Sequence, residues 1–255
     1  MSKKPVCLVM GAGAGIGGTT GARFAREGYH AVLCRRSDEE GLNSLVEGIR
    51  AEGNDATGYL INAVEDGTIE ERVAAVEEEI GPIEVVVFNL GAQIGNRPLN
   101  ETSYKMFEMG WRMATFALFR MAQAVTPKMI ERGHGTILVT SATAAMRGNA
   151  GQHSHSAAMA GRRLLCQTMN AELSPKGIHV AHIIVDGMVD APDTVGKMLG
   201  KERFEELRQT RGSADGIILP EMVADTYVHL TNQHRSTWTF ELDVRSYTDS
   251  PWWND

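Results

Sequence analysis

Apolar runs alternate with amphipathic segments along the first part of the chain. Residues 6–10 form a continuous apolar run that ends in a cluster of glycines, and a segment rich in Ala and Arg follows it. The same order recurs, with apolar runs at 30–34, 56–61 and 85–90 and segments of helical periodicity at 38–52 and 68–80. Continuous apolar runs alternating with such segments predict parallel strands that are covered by helices on both faces.

The second half of the chain continues this alternation less regularly. It predicts helices over 103–132, 156–173 and 221–230, and strands over 136–141, 179–185 and 237–242. Residues 188–220 lack a strand signal and indicate a helical lid or insertion at the substrate site. No linker or repeat interrupts residues 1–255, so we predict a single α/β domain with a doubly wound parallel sheet, which is a Rossmann fold.

Composition and charge exclude several classes of partner. The chain has 25 Lys and Arg against 32 Asp and Glu, a formal net charge of −7, and no basic run, which argues against nucleic acid. The apolar stretch before Gly11 is too short for a signal-peptide core or a membrane span, so we expect a cytoplasmic protein with no membrane partner. Cys7, Cys34 and Cys166 lie in apolar segments without metal-ligand spacing, which predicts buried thiols and no metal site.

The glycine cluster after the first predicted strand is the strongest chemical signal. It consists of Gly11, Gly13, Gly15, Ile16 and Gly17. Glycines at this point let the chain turn tightly and let its backbone approach a pyrophosphate at the N-terminus of the next helix. Because the cluster stands between a strand and a helix, it predicts a nucleotide-binding site.

The end of the second predicted strand bears on the choice of nucleotide. NAD-preferring sites place a carboxylate here against the ribose 2′-hydroxyl, whereas this chain has Arg35 and Arg36. Two guanidinium groups can bind a 2′-phosphate, which favours NADP, while NAD stays possible. The alternative is that both arginines are solvated loop residues.

The glycine spacing and the segment from Asn89 to Gly91 resemble the short-chain dehydrogenase/reductase family over nearly the whole chain. The family pattern Thr-Gly-x-x-x-Gly-Ile-Gly is matched from Gly11, with Met10 in place of the threonine, and the pattern Asn-Asn-Ala-Gly is matched only at Asn89 and Gly91. The resemblance implies an oxidoreductase with a small-molecule substrate that forms a homodimer or homotetramer. It also adds cofactor-binding candidates, namely Asn62, Ala63, Asn89, Gly91 and Val189.

The family's catalytic Asn, Ser, Tyr and Lys have no match in this sequence. The resemblance places Ala114, Ala142, His155 and Met159 at these positions, and a register shifted by two places His153 and Ala157 at the last two. In the family, the tyrosine is the general acid/base, the serine binds the substrate oxygen, and the lysine lowers the tyrosine pKa and holds the nicotinamide ribose. We therefore expect that the usual mechanism is not available to this chain.

Two side chains remain as catalytic candidates. The imidazole of His155 could donate a proton to the substrate oxygen, and Ser141 could donate a hydrogen bond to it. Alternatively, His155 is a polar residue at a helix start and Ser141 a hydroxyl bound by the backbone. Three hypotheses follow: an NADP-dependent oxidoreductase with a rebuilt site for a small carbonyl or alcohol, an inactive nucleotide-binding protein, or a non-redox enzyme on the same scaffold.

Overall fold

Seven parallel strands form one sheet in the computed structural model, which describes residues 3–91 and 95–254. In chain order the strands are β1 (Val6–Met10), β2 (His30–Arg35), β3 (Ala56–Leu60), β4 (Ile83–Phe88), β5 (Gly135–Ala142), β6 (Ile178–Val185) and β7 (Glu241–Val244). Their order across the sheet is β3-β2-β1-β4-β5-β6-β7. Strands β2 and β3 are added on one side of β1 and strands β4 to β7 on the other, so the strand order reverses between β1 and β4. This confirms the predicted Rossmann fold, whose ligands bind at the carboxyl ends of the strands beside such a reversal.

Helices cover both faces of the sheet. They are α1 (Ile16–Arg26), α2 (Glu39–Ala51), α3 (Thr68–Ala75), α4 (Tyr104–Trp111), α5 (Ala117–Arg132), α6 (His153–Leu173), α7 (Lys197–Leu199), α8 (Lys201–Gly212) and α9 (Pro220–Thr231). Alternate residues of β1 enter two different cores, with Leu8 in the one that includes residues of α3, α5 and α6 and Val9 in the one that includes residues of α1, α2 and α9. Burial on both faces explains why the strand reads as a continuous apolar run.

The helix predicted over 103–132 is interrupted. A π-helical turn, Arg112–Phe116, separates α4 from α5. A π turn widens the helix locally, and such turns frequently occur at functional sites. Here the carbonyl of Ala114, in the middle of the turn, accepts a hydrogen bond from the Nε of Arg162 at 3.1 Å. Apolar periodicity does not reveal this change, because α4, the π turn and α5 follow one another as one unbroken helical stretch.

The last strand was predicted over 237–242 and is instead Glu241–Val244. The side chain of Gln233 holds the preceding residues away from the sheet, since its Oε1 accepts from the backbone N–H of Thr239 at 2.9 Å and its Nε2 donates to the Thr239 hydroxyl at 2.9 Å. The ring of Trp238 stacks on His179 of β6, with 4.9 Å between ring centroids. Trp238 and Thr239, whose residue types favour strands, therefore make these contacts outside the sheet.

Residues 188–220 are mainly helical, and their ends are held together. A single parallel bridge joins Val189 to Ile218, with Ile218 N–H donating to the Met188 carbonyl and Asp190 N–H to the Ile218 carbonyl, both at 2.9 Å. Within the segment, Phe204 of α8 is buried and lies beside Gly196. The segment is therefore tied at its base, where it adjoins the carboxyl end of β6.

The carboxyl-terminal residues pack onto the same chain. The carboxylate of Asp186, which follows β6, accepts from the backbone N–H of Trp252 at 3.0 Å and from Arg245 at 2.9 Å. Arg147, which follows β5, donates to the Trp252 carbonyl at 2.8 Å. Trp252 therefore lies at the carboxyl ends of β5 and β6.

Other expectations concern membranes, metals and thiols. No helix within the described ranges has the length and apolar character needed to cross a membrane. Within the same ranges, no group of three or more His, Cys, Asp and Glu residues is arranged to hold a metal ion. The three cysteines are buried thiols, as predicted, and burial raises the pKa of Cys34 and Cys166 to about 12. Residues 1, 2, 92–94 and 255 of the predicted domain lie outside the described residues.

Candidate active site

One cavity of about 540 Å³ lies at the carboxyl ends of the central strands. Every residue that the sequence predicts for cofactor binding or chemistry lines it: Gly11, Gly13, Gly15, Ile16, Gly17, Arg35, Arg36, Asn62, Ala63, Asn89, Gly91, Ser141, His155 and Val189. Its volume is typical of a small-molecule or cofactor site. The fold thus brings together segments that are distant in the chain.

The glycine loop is shaped by close packing on one side and by free space on the other. Gly11 has φ +100°, and its carbonyl accepts from the side-chain amide of Asn89 at 3.0 Å. A Cβ at Gly17 would overlap the Gly11 carbonyl oxygen, and one at Gly15 would lie 2.9 Å from the Cβ of Ala191. A Cβ at Gly13 would meet no protein atom within 4 Å. The space beside the Gly13 Cα is therefore open to the cavity, while its N–H donates to the Gly11 carbonyl at 3.0 Å.

The start of α1 is open as well. Its N-cap is Gly15, which offers no side-chain cap. The first N–H groups of an α-helix have no partner within the helix and carry partial positive charge, so they can bind a phosphate. The bare loop and the uncapped helix start together fit the pyrophosphate of a dinucleotide.

The two arginines at the end of β2, Arg35 in the strand and Arg36 directly after it, differ in their surroundings. Arg35 pairs with Asp38 at 2.7 Å and is largely buried, whereas Arg36 is exposed at the cavity mouth. Asp38 has φ +68° and caps α2 by accepting from the backbone N–H of Gly41 at 3.0 Å. One carboxylate therefore both starts α2 and fixes the guanidinium of Arg35 beside the cavity.

The remaining cofactor candidates contribute mainly through their backbone or through contacts with other residues. The Asn62 side chain donates to Glu65 at 2.7 Å, and the Ala63 carbonyl accepts from the buried Arg120 at 3.1 Å. Asn89 holds the glycine loop, as described above. Val189 lines the cavity from the base of the 188–220 segment. These residues shape the cavity wall.

The catalytic candidates lie at the other end of the cavity, His155 on helix α6 and Ser141 on strand β5. His155 lies in the first turn of α6 and is 9% exposed, and Met159 follows one turn later on the same face. The hydroxyl of Ser141, on β5, contacts the sulfur of Met159 at 4.0 Å. His153 is absent from the cavity lining within the described residues, so His155 is the histidine that this arrangement favours. Ala142 lines the cavity, whereas Ala114 lies buried behind it.

Sequence reasoning missed Arg162, which also lines the cavity. It is 1% exposed, and its guanidinium donates to the carbonyls of Leu90 and Thr140, both at 2.6 Å, as well as to Ala114. Burial lowers its pKa to about 10, so it is still a cation at neutral pH. The signal was present in the spacing, because Arg162 follows His155 by seven residues and Met159 by three, which places all three on one helix face.

The charged lining of the cavity has one sign. Arg35, Arg36 and Arg162 line it, and no Asp or Glu does so within the described ranges. The chain as a whole has a net charge of −7, so the charge of the cavity lining is opposite in sign to the net charge of the chain. A cavity with this lining attracts anionic ligands.

Comparison with known proteins identifies the family. The model for short chain dehydrogenase matches residues 5–199. The short-chain reductase protein NovJ of Streptomyces niveus is 32% identical over 232 residues, which cover 89% of this chain and 87% of NovJ. A crystal structure of a short-chain dehydrogenase from Rhodopseudomonas palustris is 32% identical, with a TM-score of 0.79, and covers 95% of this chain and 99% of its own. An actinorhodin polyketide ketoreductase solved with NADPH is 26% identical, with a TM-score of 0.84, and covers 96% of this chain and 98% of its own. The chain therefore belongs to the short-chain dehydrogenase family.

Proposed function

We propose that the protein is an NADP-dependent oxidoreductase that reduces a small carbonyl compound, or oxidises the corresponding alcohol, with an active site that lacks the family's usual tetrad. The observation that carries the proposal is that one cavity joins the glycine loop and the arginines at the end of β2 to His155 on α6 and Ser141 on β5. The glycine loop and the imidazole of His155 border the same space, which supports a role for the first in cofactor binding and for the second in proton transfer.

The cofactor would lie across the carboxyl ends of β1, β2, β4 and β5. The pyrophosphate would lie in the open space beside Gly13, at the uncapped start of α1, and Arg35 and Arg36 would bind the 2′-phosphate. This assignment favours NADP over NAD because no carboxylate among the described residues lines the adenosine end to accept from a 2′-hydroxyl. The NADPH bound to the related ketoreductase supports the same choice.

The chemistry would rest on His155 and Ser141. Bound NADPH supplies a hydride to the carbonyl carbon of the substrate. His155 donates the proton that the carbonyl oxygen takes up, so that carbonyl, hydride and proton together give the alcohol, and the imidazole regains its proton from solvent. Ser141 donates a hydrogen bond to the same oxygen. Met159, at the position of the family's lysine, provides no charge.

The surroundings of these residues suggest the substrate class. Met109, Met113 and Met159 line the cavity near His155, and Val195 lines it from the 188–220 segment. Methionine side chains adapt to irregular apolar shapes. We propose that 188–220 is the substrate lid and that the substrate is a small carbonyl compound with an apolar body.

Calorimetry and a substrate screen test the function. We expect NADPH to bind more tightly than NADH, and NADPH absorbance to fall with at least one carbonyl in a panel of ketones, aldehydes and imines. His155→Ala should reduce kcat by about 10²–10⁴-fold, the usual contribution of a general acid. His153→Ala is the matched control, since this histidine lies on the same helix start and is not part of the described cavity lining.

The outcomes separate the alternatives. Tight NADPH binding without turnover of any compound would identify an inactive nucleotide-binding protein. Conversion of a substrate without any change in NADPH absorbance would identify a non-redox enzyme. Unchanged turnover in His155→Ala would remove this residue from the mechanism and leave the cofactor assignment intact.

We also propose that the protein acts as a cytoplasmic homodimer or homotetramer. Exposed apolar side chains on α4, α5 and α6 support self-association: Phe107, Trp111, Phe119 and Leu164. Exposed apolar surface of this kind is typical of a protein interface. Sedimentation velocity tests this proposal, and Trp111→Glu combined with Leu164→Glu should yield monomers; a wild-type protein that sediments as a monomer would exclude it.

A further inference from the structure

Arg162 is a buried cation without a carboxylate partner in the described part of the chain. Its hydrogen bonds go to the carbonyls of Leu90, Thr140 and Ala114. Another buried arginine, Arg120, instead pairs with Glu70 at 2.6 Å. A buried charge that is not paired is costly unless a ligand or a reaction uses it. The carbonyl dipoles compensate the charge of Arg162 only in part, so the cavity wall retains a positive potential.

The three carbonyls place this charge at one end of the cavity. Leu90 follows β4, Thr140 precedes Ser141 on β5, and Ala114 lies in the π turn between α4 and α5. The arginines of the adenosine end lie at the end of β2, which is separated from β5 by β1 and β4. At about 4.8 Å per strand, the two ends are about 14 Å apart in the plane of the sheet. Arg162 therefore acts on the end where His155 and Ser141 lie.

We propose that Arg162 is a positioning residue that supplies the fixed positive charge of the nicotinamide end, and that this charge makes the site bind NADPH in preference to NADP⁺. The inference rests on the proposed function. The nicotinamide ring is neutral in NADPH and carries a positive charge in NADP⁺, so a fixed cation nearby raises the free energy of the oxidised complex. Met159 leaves the family's lysine position without charge, and Arg162, three residues later on the same helix face, provides a cation in the same wall.

The guanidinium also positions the segments that it joins. Its planar fork bonds three separate pieces of backbone at once, an arrangement that a lysine ammonium at residue 159 would not reproduce. A stacked contact supports the fork, since its central carbon lies 5.1 Å from the centre of the Phe88 ring. Charge and position can thus be separated by substitution, because lysine at 162 retains the charge and loses the fork.

Dissociation constants for NADPH and NADP⁺, measured by calorimetry, test the proposal. We expect the wild-type protein to bind NADPH about tenfold more tightly, the size expected of one charge acting through a partly screened interior. Arg162→Met should lower this ratio about tenfold, and Arg162→Lys should keep it. The double variant Arg162→Met with Met159→Lys should restore the ratio, because it returns one cation to the same wall.

Arg163→Met is the matched control. This neighbouring arginine is on the same helix but pairs with Glu241 at 2.7 Å and is not part of the described cavity lining, so its loss should not change the ratio. The proposal is overturned if Arg162→Met leaves the ratio unchanged or if Arg163→Met changes it equally. If Arg162→Met does not fold, Met159→Lys alone decides, since a second cation should raise the ratio further and an unchanged ratio would overturn the proposal.

The same data separate this inference from the proposed function. Tight NADPH binding and turnover with an unchanged ratio in Arg162→Met would overturn the role of Arg162 alone. A wild-type protein that binds neither NADPH nor NADP⁺ would overturn the proposed function and this inference together.

Discussion

Two glycines of the same loop should respond in opposite ways to the addition of one methyl group. A Cβ at Gly13 would contact no protein atom within 4 Å, whereas one at Gly17 would overlap the Gly11 carbonyl and lie 2.8 Å from the Asn89 amide nitrogen. Neither glycine has a positive φ, so alanine is compatible with both backbones. We therefore predict that Gly13→Ala disturbs only the ligand and that Gly17→Ala disturbs the fold.

The magnitudes follow from the space at each site. Gly17→Ala must displace the loop from the end of β4, at a cost of about 1–3 kcal/mol for overpacking, and helix propensity returns at most about 1 kcal/mol. The net loss of up to about 2 kcal/mol corresponds to a fall in Tm of up to about 8 °C for a domain of this size. Gly13→Ala should keep the Tm or raise it slightly, because alanine restricts the unfolded chain.

Calorimetric titration with NADPH and thermal unfolding without ligand measure both effects. For Gly13→Ala we expect the Kd for NADPH to rise at least about tenfold, which is about 1.4 kcal/mol, since the methyl group would occupy the space of the pyrophosphate. Wild-type affinity in Gly13→Ala would refute the placement of the pyrophosphate at this residue. A loss of Tm in Gly13→Ala equal to that in Gly17→Ala would refute the description of the loop.

Two further predictions concern cofactor choice and acid stability. Arg36→Ala should weaken NADPH binding by about 10–100-fold, the usual value of a hydrogen bond to a charged group, and leave NADH binding unchanged, with the exposed Arg26→Ala as control; equal losses for both cofactors would contradict the 2′-phosphate assignment. Burial lowers the pKa of His182 to about 4, although Glu241 acts in the opposite direction. Since the unfolded imidazole binds its proton near pH 6.5, this residue should leave stability unaffected above that pH and reduce it by up to about 3 kcal/mol as the pH falls towards 4. Urea unfolding at both ends of this range should show a smaller loss in His182→Gln, and an equal loss would contradict the prediction.

The strands were the easiest elements to predict. Residues 6–10 are buried on both faces, so their burial requires a continuous apolar run that is visible in the sequence. The last strand was misplaced because the segment before it has the composition of a strand but is held in a turn by the side chain of Gln233. Sequence periodicity describes which residues are buried, and it does not describe such side-chain contacts with the backbone.

The glycine loop and His155 line the cavity and were named from the sequence, whereas Arg162 of α6 also lines it and was not. Glycines report backbone constraints directly, and their spacing identified the loop. Arg162 and Arg163 form one basic pair in the sequence, yet one faces the cavity and the other pairs with Glu241. Adjacent helical residues point about 100° apart, so the pair had to be read together with His155 and Met159. Nothing in the sequence indicated that a buried guanidinium would find three carbonyls.

Lys4 and Trp252, near the first and last described residues, lie at opposite ends of the strands. Lys4 precedes β1 at the edge away from the cavity, whereas Trp252 is held by Asp186 and Arg147 at the edge where the cavity opens. A purification tag or surface linker at the carboxyl end would therefore lie near the proposed lid and disturb the measurements that depend on it. Protein for binding and kinetic work should carry such additions at the amino end, and immobilisation through that end leaves the cavity facing the solution.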